Sequence, residues 1–362
     1  MRATRATGVV PMRAGGRRLS VTVLNYNYGH FLDQCLASIL CQSFTDFEVI
    51  VIDDCSADDS LQVIKPYLED PRVRLIAHKE NAGFVRSLVE GVEASTSKYL
   101  TVVSADDFVL SSTAFEQQMN LLEAHPTTSF CYASWVYMSM RTQSLGEIVP
   151  FSQDHVWSGE REFREFCTRF YVLHTGTMIR RSAYEAVGGY DTSIRYTLDN
   201  TMWAQLCGGG DVAYVAQPLY GYRTHGGNMS HNPKALRATV DEFVRLVDLG
   251  FARLPDGPVK SDRRLLRRSR QAALAGVATM QIFAGRPLDG WKAHAYAIRL
   301  NPRDALFQRR VLSLVARTLL GARLFRWLRS LNHRSVGASA ALAIAGTCWH
   351  CEGTQSLLAS VS

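Results

Sequence analysis

The chain has 362 residues, 47% of them hydrophobic and 20% charged, with a formal net charge of +7. That length exceeds one ordinary domain of about 150 residues and the apolar content excludes a disordered chain, so two or more globular units or one enlarged unit are expected. The charge is unevenly placed: residues 1–18 carry five Arg and no acid, residues 19–259 carry 29 acids against 18 bases, and residues 260–334 carry 17 bases against three Asp. An acidic body with a basic C-terminal extension points to an anionic surface as a partner, either lipid headgroups or nucleic acid.

The cysteines at 35, 41, 55, 131, 167, 207, 348 and 351 lie mostly in apolar stretches and read as reduced, buried thiols. Cys348 and Cys351 form the one close pair, and no second Cys/His cluster nearby completes a zinc site. The basic start has no long apolar core behind it, and no stretch reaches about 18 uninterrupted apolar residues. The expectation is a cytoplasmic protein with neither a secretory signal nor a membrane span.

Residues 1–18 read as a flexible basic arm. Leu19–Leu24 is apolar and β-branched, a strand pattern, and it ends in the polar turn Asn25-Tyr26-Asn27-Tyr28-Gly29. From about Phe31 to Leu40 the residues Phe31, Leu32, Cys35, Leu36, Ile39 and Leu40 recur at helical spacing. A second strand, Phe47–Ile52, terminates in Asp53-Asp54; a helix near Leu61–Leu68, the strand Val73–Ala77, the turn Asn81-Ala82-Gly83 and a helix to about Ala94 follow. The apolar run Tyr99–Val103 then leads into Ser104-Ala105-Asp106-Asp107. A buried strand cannot hold two adjacent carboxylates in its interior, so this pair sits just past the strand end.

Strands that alternate with helices and read as continuous apolar runs predict a parallel sheet covered on both faces. In such a sheet ligands bind outside the carboxyl ends of the strands, where Tyr26, Asp53, Asp54, Asp106 and Asp107 fall. Paired carboxylates there suit a hard divalent cation that bridges nucleotide phosphates. Each position alone also fits an ordinary solvated loop. The chain has no G-x-G-x-x-G after its first strand and no G-x-x-x-x-G-K-[ST], against a dinucleotide oxidoreductase or a P-loop enzyme.

Val23-Leu24-Asn25-Tyr26-Asn27, Ser38–Phe44 with Phe47–Ser56, Asn81-Ala82-Gly83 and Ser104-Ala105-Asp106-Asp107 resemble, in order and spacing, the nucleotide domain of family 2 glycosyltransferases with the GT-A fold. The likeness spans roughly residues 19–230 and implies a Rossmann-like, mostly parallel α/β sheet flanked by helices. It also implies that Tyr26 flanks the base, Asp54 meets a uracil-like edge, Arg86 lies near the diphosphate, Asp106 contacts the ribose and Asp107 holds Mn²⁺ or Mg²⁺. Arg86 equally fits a solvated helix charge. The family often has an acid where Ser104 stands.

A helix is expected over about Thr113–Ala124 and strand over Phe130–Tyr137. The aromatic residues Trp157, Phe163, Phe166, Phe170 and Tyr171 suit either sugar rings or the core. After the turn Gly188-Gly189-Tyr190-Asp191, the segment Tyr196–Trp203 resembles the one that carries the family's catalytic base, which implies Asp199 in that role and Trp203 beside the substrate. Asp199 and Trp203, at i and i+4, share a helix face. Asp199 equally suits a helix N-cap, and Leu198 stands where an acid is frequent. A strand is expected over Leu219–Arg223. The resemblance implies that His225 approaches the metal or diphosphate, the alternative being a loop His; Arg223 is a weaker candidate for a direct part.

From Pro233 onward strand patterns cease, and helices are expected at about 235–251, 263–284, 289–300 and 305–331. Within 305–331, apolar positions such as Phe307, Val311, Leu314 and Leu328 oppose Arg309, Arg310, Arg317 and Arg326, a pattern for an anionic membrane surface or for packing with a solvated Arg face. The expected organisation is an arm (1–18), a nucleotide-sugar half (19–110), an acceptor half (111–232), a helical basic region (233–331) and a tail (332–362). The reading is a metal-dependent inverting transferase taking a sugar from a nucleotide-diphosphate donor, a UDP-sugar, to a glycan or lipid-linked acceptor. It sits in the cytoplasm or on the cytosolic membrane face and binds no nucleic acid. A nucleotide-sugar-forming nucleotidyltransferase needs a Gly-rich phosphate loop with a basic residue after the first strand, which Asn25–Gly29 lacks. A non-catalytic basic scaffold would track phosphates, which the acids at the strand ends disfavour.

Overall fold

The computed structural model describes residues 17–225, 227–228 and 233–283, with isolated helical positions at 288, 290–292, 295 and 299. The predicted helix at 305–331, most of that at 289–300, most of the basic arm and the tail lie outside the described residues.

The first half runs β1 (Leu19–Asn25), α1 (Gly29–Leu40), β2 (Phe47–Asp53), α2 (Ser60–Ile64), a 3-10 turn (Lys65–Glu69), β3 (Val73–Ala77), α3 (Phe84–Glu93) and β4 (Tyr99–Ser104). β1 pairs in parallel with β2 and β4, and β2 with β3. Along β2, Val49 and Val51 join Leu32, Cys35, Leu36 and Ile39 of α1 on one face. Ile50 and Ile52 join Leu88 and Val92 of α3 on the other. The strand is apolar at both parities because both faces are covered.

Then come β5 (Phe108–Val109), α4 (Ala114–Ala124), β6 (Thr128–Met138), β7 (Ser144–Ile148), β8 (His155–Trp157), α5 (Gly159–Arg169), β9 (Met178–Arg180), α6 (Arg181–Ala186), α7 (Leu198–Cys207) and β10 (Asp211–Arg223). The described strands form one curled sheet in the order β3-β2-β1-β4-β9-β6-β10-β5, with β7 on β6 and β8 on β10. β9 lies antiparallel between β4 and β6, joining the parallel first half to a second half in which β10 runs parallel to β6. At three residues, β9 is shorter than a hydrophobic repeat can mark.

β10 covers thirteen residues, where the pattern indicates only 219–223. Gln217-Pro218 reads as a break because Pro cannot donate to a ladder. The sheet absorbs it as register shifts on either side of Pro218.

Two helices, α8 (Pro233–Arg253) and α9 (Arg263–Phe283), follow. Phe243, Leu246, Val247 and Phe251 of α8 and Ala273 and Val277 of α9 belong to the same hydrophobic cluster as Phe163 and Phe166 of α5 and Trp203 and Leu206 of α7. Through these residues α8 and α9 extend the core that α5 and α7 form. Among the described residues no helix is long and apolar enough to cross a membrane.

Candidate active site

The register Asn25↔Asp53 and Leu24↔Ser104 brings the ends of β1, β2 and β4 to one edge. Asp53 accepts from Asn25 Nδ2 at 2.6 Å, the Ser56 hydroxyl at 2.6 Å and the Ser56 amide at 3.0 Å. Ser56 Oγ also receives the Asn27 amide at 2.9 Å, and Asn27 Oδ1 the Ala57 amide at 2.8 Å. Asn27 and Cys55 adopt left-handed backbone, φ 60° and 63°, within this brace. Strain of this kind needs surrounding bonds to hold it. Tyr26 projects from the braced turn, 48% exposed.

Asp54 is buried. Its carboxylate accepts from the Ala82 amide at 2.7 Å and the Gly83 amide at 2.8 Å, and meets His78 Nδ1 at 2.7 Å. Burial opposes its charge, but the hydrogen bonds from His78, Ala82 and Gly83 outweigh burial and hold the carboxyl below its ordinary value. Gly83, at φ 87°, directs its amide to Asp54 and starts α3. Arg86 lies exposed in the first turn of that helix.

The acids after β4 differ in surroundings. Asp107 Oδ2 takes the Thr175 hydroxyl at 2.5 Å, and Oδ1 takes the Arg223 amide at 2.9 Å. Burial and then the neighbouring Asp106 charge push Asp107 well above the ordinary carboxylate value. Asp106 Oδ2 instead lies 3.0 Å from His225 Nε2 and accepts from Asn228 Nδ2 at 3.2 Å. The Gly227 amide points at His225 Nδ1 from 3.1 Å, which directs the neutral ring's proton on Nε2 toward Asp106. The resemblance assigns metal binding to Asp107 with His225; the geometry pairs His225 with Asp106, while Asp107 is engaged behind it by Thr175 and the backbone.

Arg223 has its side chain buried under this pair. It donates to the Asp106 carbonyl at 2.7 Å, bonds Gln34, and lies 4.2 Å from the Phe31 ring centroid. Its charge offsets the two acids, a larger part than the sequence reading gives it. Among the described residues no group of three or more His, Cys, Asp or Glu gathers as a metal site. With Nε2 turned to Asp106 and Nδ1 to the Gly227 amide, both ring nitrogens of His225 are engaged, so a divalent cation held by this pair would require the ring to release one of these bonds.

Asp199 is the second residue of α7, whose N-cap is Thr197. The N-cap reading for Asp199 is therefore not what the structure shows. Its half-buried carboxylate accepts from Asn200 Nδ2 at 3.1 Å and sits in the first helical turn, where the helix dipole favours negative charge. Asp199 acts electrostatically on His174, pulled below its ordinary value by burial and pushed up by Asp199, and on buried Tyr190. His174 Nε2 lies 3.3 Å from the Tyr190 hydroxyl. His174 and Thr175 are consecutive, so one short loop bonds Asp107 through Thr175 and puts His174 within the electrostatic reach of Asp199.

Trp203 departs from the expected substrate contact. Its ring is 1% exposed and stacks on Phe130 at 5.4 Å and 28°. The helix face one turn beyond Asp199 packs on the core, and the periodicity cannot tell such a face from one that meets a ligand. Phe163, Phe166 and Tyr171 are likewise buried. The sequence reading misses His78, Thr175 and Asn228, polar loop residues that act through partners 24 to 122 positions away.

Residues 20–188 match the family described as "Glycosyl transferase family 2". An uncharacterized glycosyltransferase of Haemophilus influenzae is 28% identical over 220 residues, 59% of this chain and 67% of the relative. Another from Escherichia coli, YibD, is 38% identical over 122 residues, 33% of this chain and about a third (35%) of that protein. Among solved structures, Staphylococcus aureus TarS residues 1–349 in complex with UDP-GlcNAc superposes with a TM-score of 0.61 at 14% identity, over 88% of this chain and 92% of that one. The fold, the acids at the strand ends and the matched residues define a nucleotide-sugar type of GT-A domain. Residues 20–188 thus carry a glycosyl transferase family 2 domain, the type of domain that transferase enzymes contain.

Proposed function

We propose that this enzyme is a metal-dependent, inverting glycosyltransferase that moves a sugar from a UDP-sugar to a glycan or lipid-linked acceptor in cell-surface polysaccharide assembly. The observation that carries this reading is the Asp106–His225 pair at the edge where β1, β2 and β4 end, with Asp199 half-buried in the first turn of α7. A relative named chondroitin synthase, 26% identical over 237 residues, of which the match spans 33%, supports a polysaccharide product. The UDP-GlcNAc held by TarS supports a UDP-sugar donor.

In this reading Tyr26 lies against the base, and Asp54 meets the uracil edge while fixing the Asn81–Gly83 turn that leads to Arg86 at the diphosphate. Asp106 contacts the ribose, and with His225 would hold Mn²⁺ or Mg²⁺, with Asp107 and Thr175 bracing the pair. The bound cation supplies charge neutralisation for the diphosphate leaving group. Asp199 removes the proton from the acceptor hydroxyl as that oxygen attacks the anomeric carbon, because an unassisted hydroxyl is a poor nucleophile. The basic segment 305–331 would bring the enzyme to the anionic cytosolic face of a membrane, where a lipid-linked acceptor is held.

Isothermal titration with UDP, GDP and dTDP, each with and without Mn²⁺, tests the assignment. Mn²⁺-dependent binding of UDP that is lost in Asp106→Ala and kept in Asp199→Asn is the expected result. Absence of nucleotide binding under every condition overturns it.

A further inference from the structure

We infer that Glu242, on α8, is a positioning residue for Asp199; the catalytic part of this inference rests on the reading of Asp199 as the base. Three consecutive backbone amides just ahead of α7 converge on the Glu242 carboxylate. Arg195 N–H donates to Oε1 at 3.1 Å, and Tyr196 and Thr197 N–H donate to Oε2 at 2.7 and 3.0 Å. Thr197, the N-cap of α7, makes no side-chain capping bond, so the carboxylate holding this approach comes from another helix. Asp199 follows two residues later.

Two further α8 side chains grip the same segment. Arg245 pairs with Asp191 at 3.1 Å, and Arg253 donates to the Val187 carbonyl at 3.0 Å. Between these points the chain turns through Gly188 and Gly189, at φ 89° and 73°, and has no regular structure until α7. Such a segment has many backbone states to choose from. Only an acceptor with two oxygens can meet three amides at once. A carboxamide offers one oxygen and turns an NH₂ against a remaining donor. Glu242 therefore selects one backbone path into α7 and sets where the Asp199 carboxylate lies. The position of a base matters steeply, since a displacement near 1 Å can cost about a hundredfold in rate.

The test uses the full chain with Glu242→Gln, Glu242→Ala, Asp199→Asn and the double variant Asp199→Asn/Glu242→Ala. Hydrogen exchange at the amides of residues 195–197 should accelerate at least about tenfold in Glu242→Ala, since they lose their acceptor. The rate of UDP release from UDP-GlcNAc should fall about ten- to a hundredfold in Glu242→Ala and less in Glu242→Gln. UDP affinity and binding stoichiometry by titration should stay at wild-type values, which separates misplacement from loss of folded protein. Because Glu242 acts through Asp199, Glu242→Ala should cost nothing further in the Asp199→Asn background. An equal loss in both backgrounds, or unchanged exchange at 195–197, overturns the inference. Wild-type turnover in Asp199→Asn overturns the base assignment itself, and the exchange readout still reports whether Glu242 holds the segment.

Discussion

The acids at the strand ends are held at their carboxylates, the Asp199 segment at its backbone. The Asp53 and Asp54 carboxylates are bonded from their own half of the sheet and its immediate loops, the Asp107 carboxylate from Thr175 and the Arg223 amide of the second half, and each is buried. Asp199 has one side-chain bond from its neighbour, and its approach is fixed from α8, more than forty residues on. A site that grips a nucleotide gains from rigid, prepaid geometry. A base must stay accessible to a hydroxyl and to the proton it removes, so its order comes from the backbone behind it.

Substitutions on the two sides should separate accordingly. The largest loss is expected for Asp106→Ala: turnover should drop about a thousandfold or more as leaving-group stabilisation and Mn²⁺-dependent UDP binding vanish together, read by UDP release and calorimetry. Retained Mn²⁺-dependent binding would break the pairing of Asp106 with His225 as the cation site. Asp199→Asn should lower kcat about 10²- to 10⁴-fold with UDP binding intact. Loss of UDP binding in that variant would erase the division between the two sides.

Trp203→Ala should cost about 3–5 kcal/mol of stability in denaturant melts, with unchanged UDP affinity in the folded protein. A selective loss of acceptor affinity without destabilisation would return Trp203 to the substrate. Asp54→Asn should cost about 1–3 kcal/mol near neutral pH, since buried donors lose a charged acceptor. Its depressed native value means that this stability is present above the ordinary carboxyl value of 3.8 and is lost as pH falls through the folded value. The gap between wild type and variant in melts should therefore close below about pH 4. The smallest effect is expected for exposed Arg86→Ala, about a tenfold rise in donor KM, equivalent to about 1.4 kcal/mol, with kcat unchanged.

Much of the first half was legible because local rules agree there. The apolar runs at 19–24, 47–52, 73–77 and 99–103 and the helix periodicity at 31–40 correspond to β1, β2, β3, β4 and α1. The second half yields less to that reading. β9 is too short to show a period, and β10 contains a proline that the sheet accommodates by shifting register. The ends of β2 and β4 were visible as places for paired acids, but which acid of a pair faces a partner was not. Asp106 and Asp107 are adjacent and identical in type, so nothing local distinguishes them.

By itself the sequence determined that four apolar strands end in polar loops at one sheet edge, since a buried strand excludes carboxylates from its interior and period-two packing aligns the ends. Only the tertiary structure decided that Asp106 rather than Asp107 meets His225, that Trp203 belongs to the core and that Glu242 holds the path to Asp199. Each of those outcomes depends on residues brought together across 73, 119 or 46 positions, and separations of that kind leave no periodic trace in the chain.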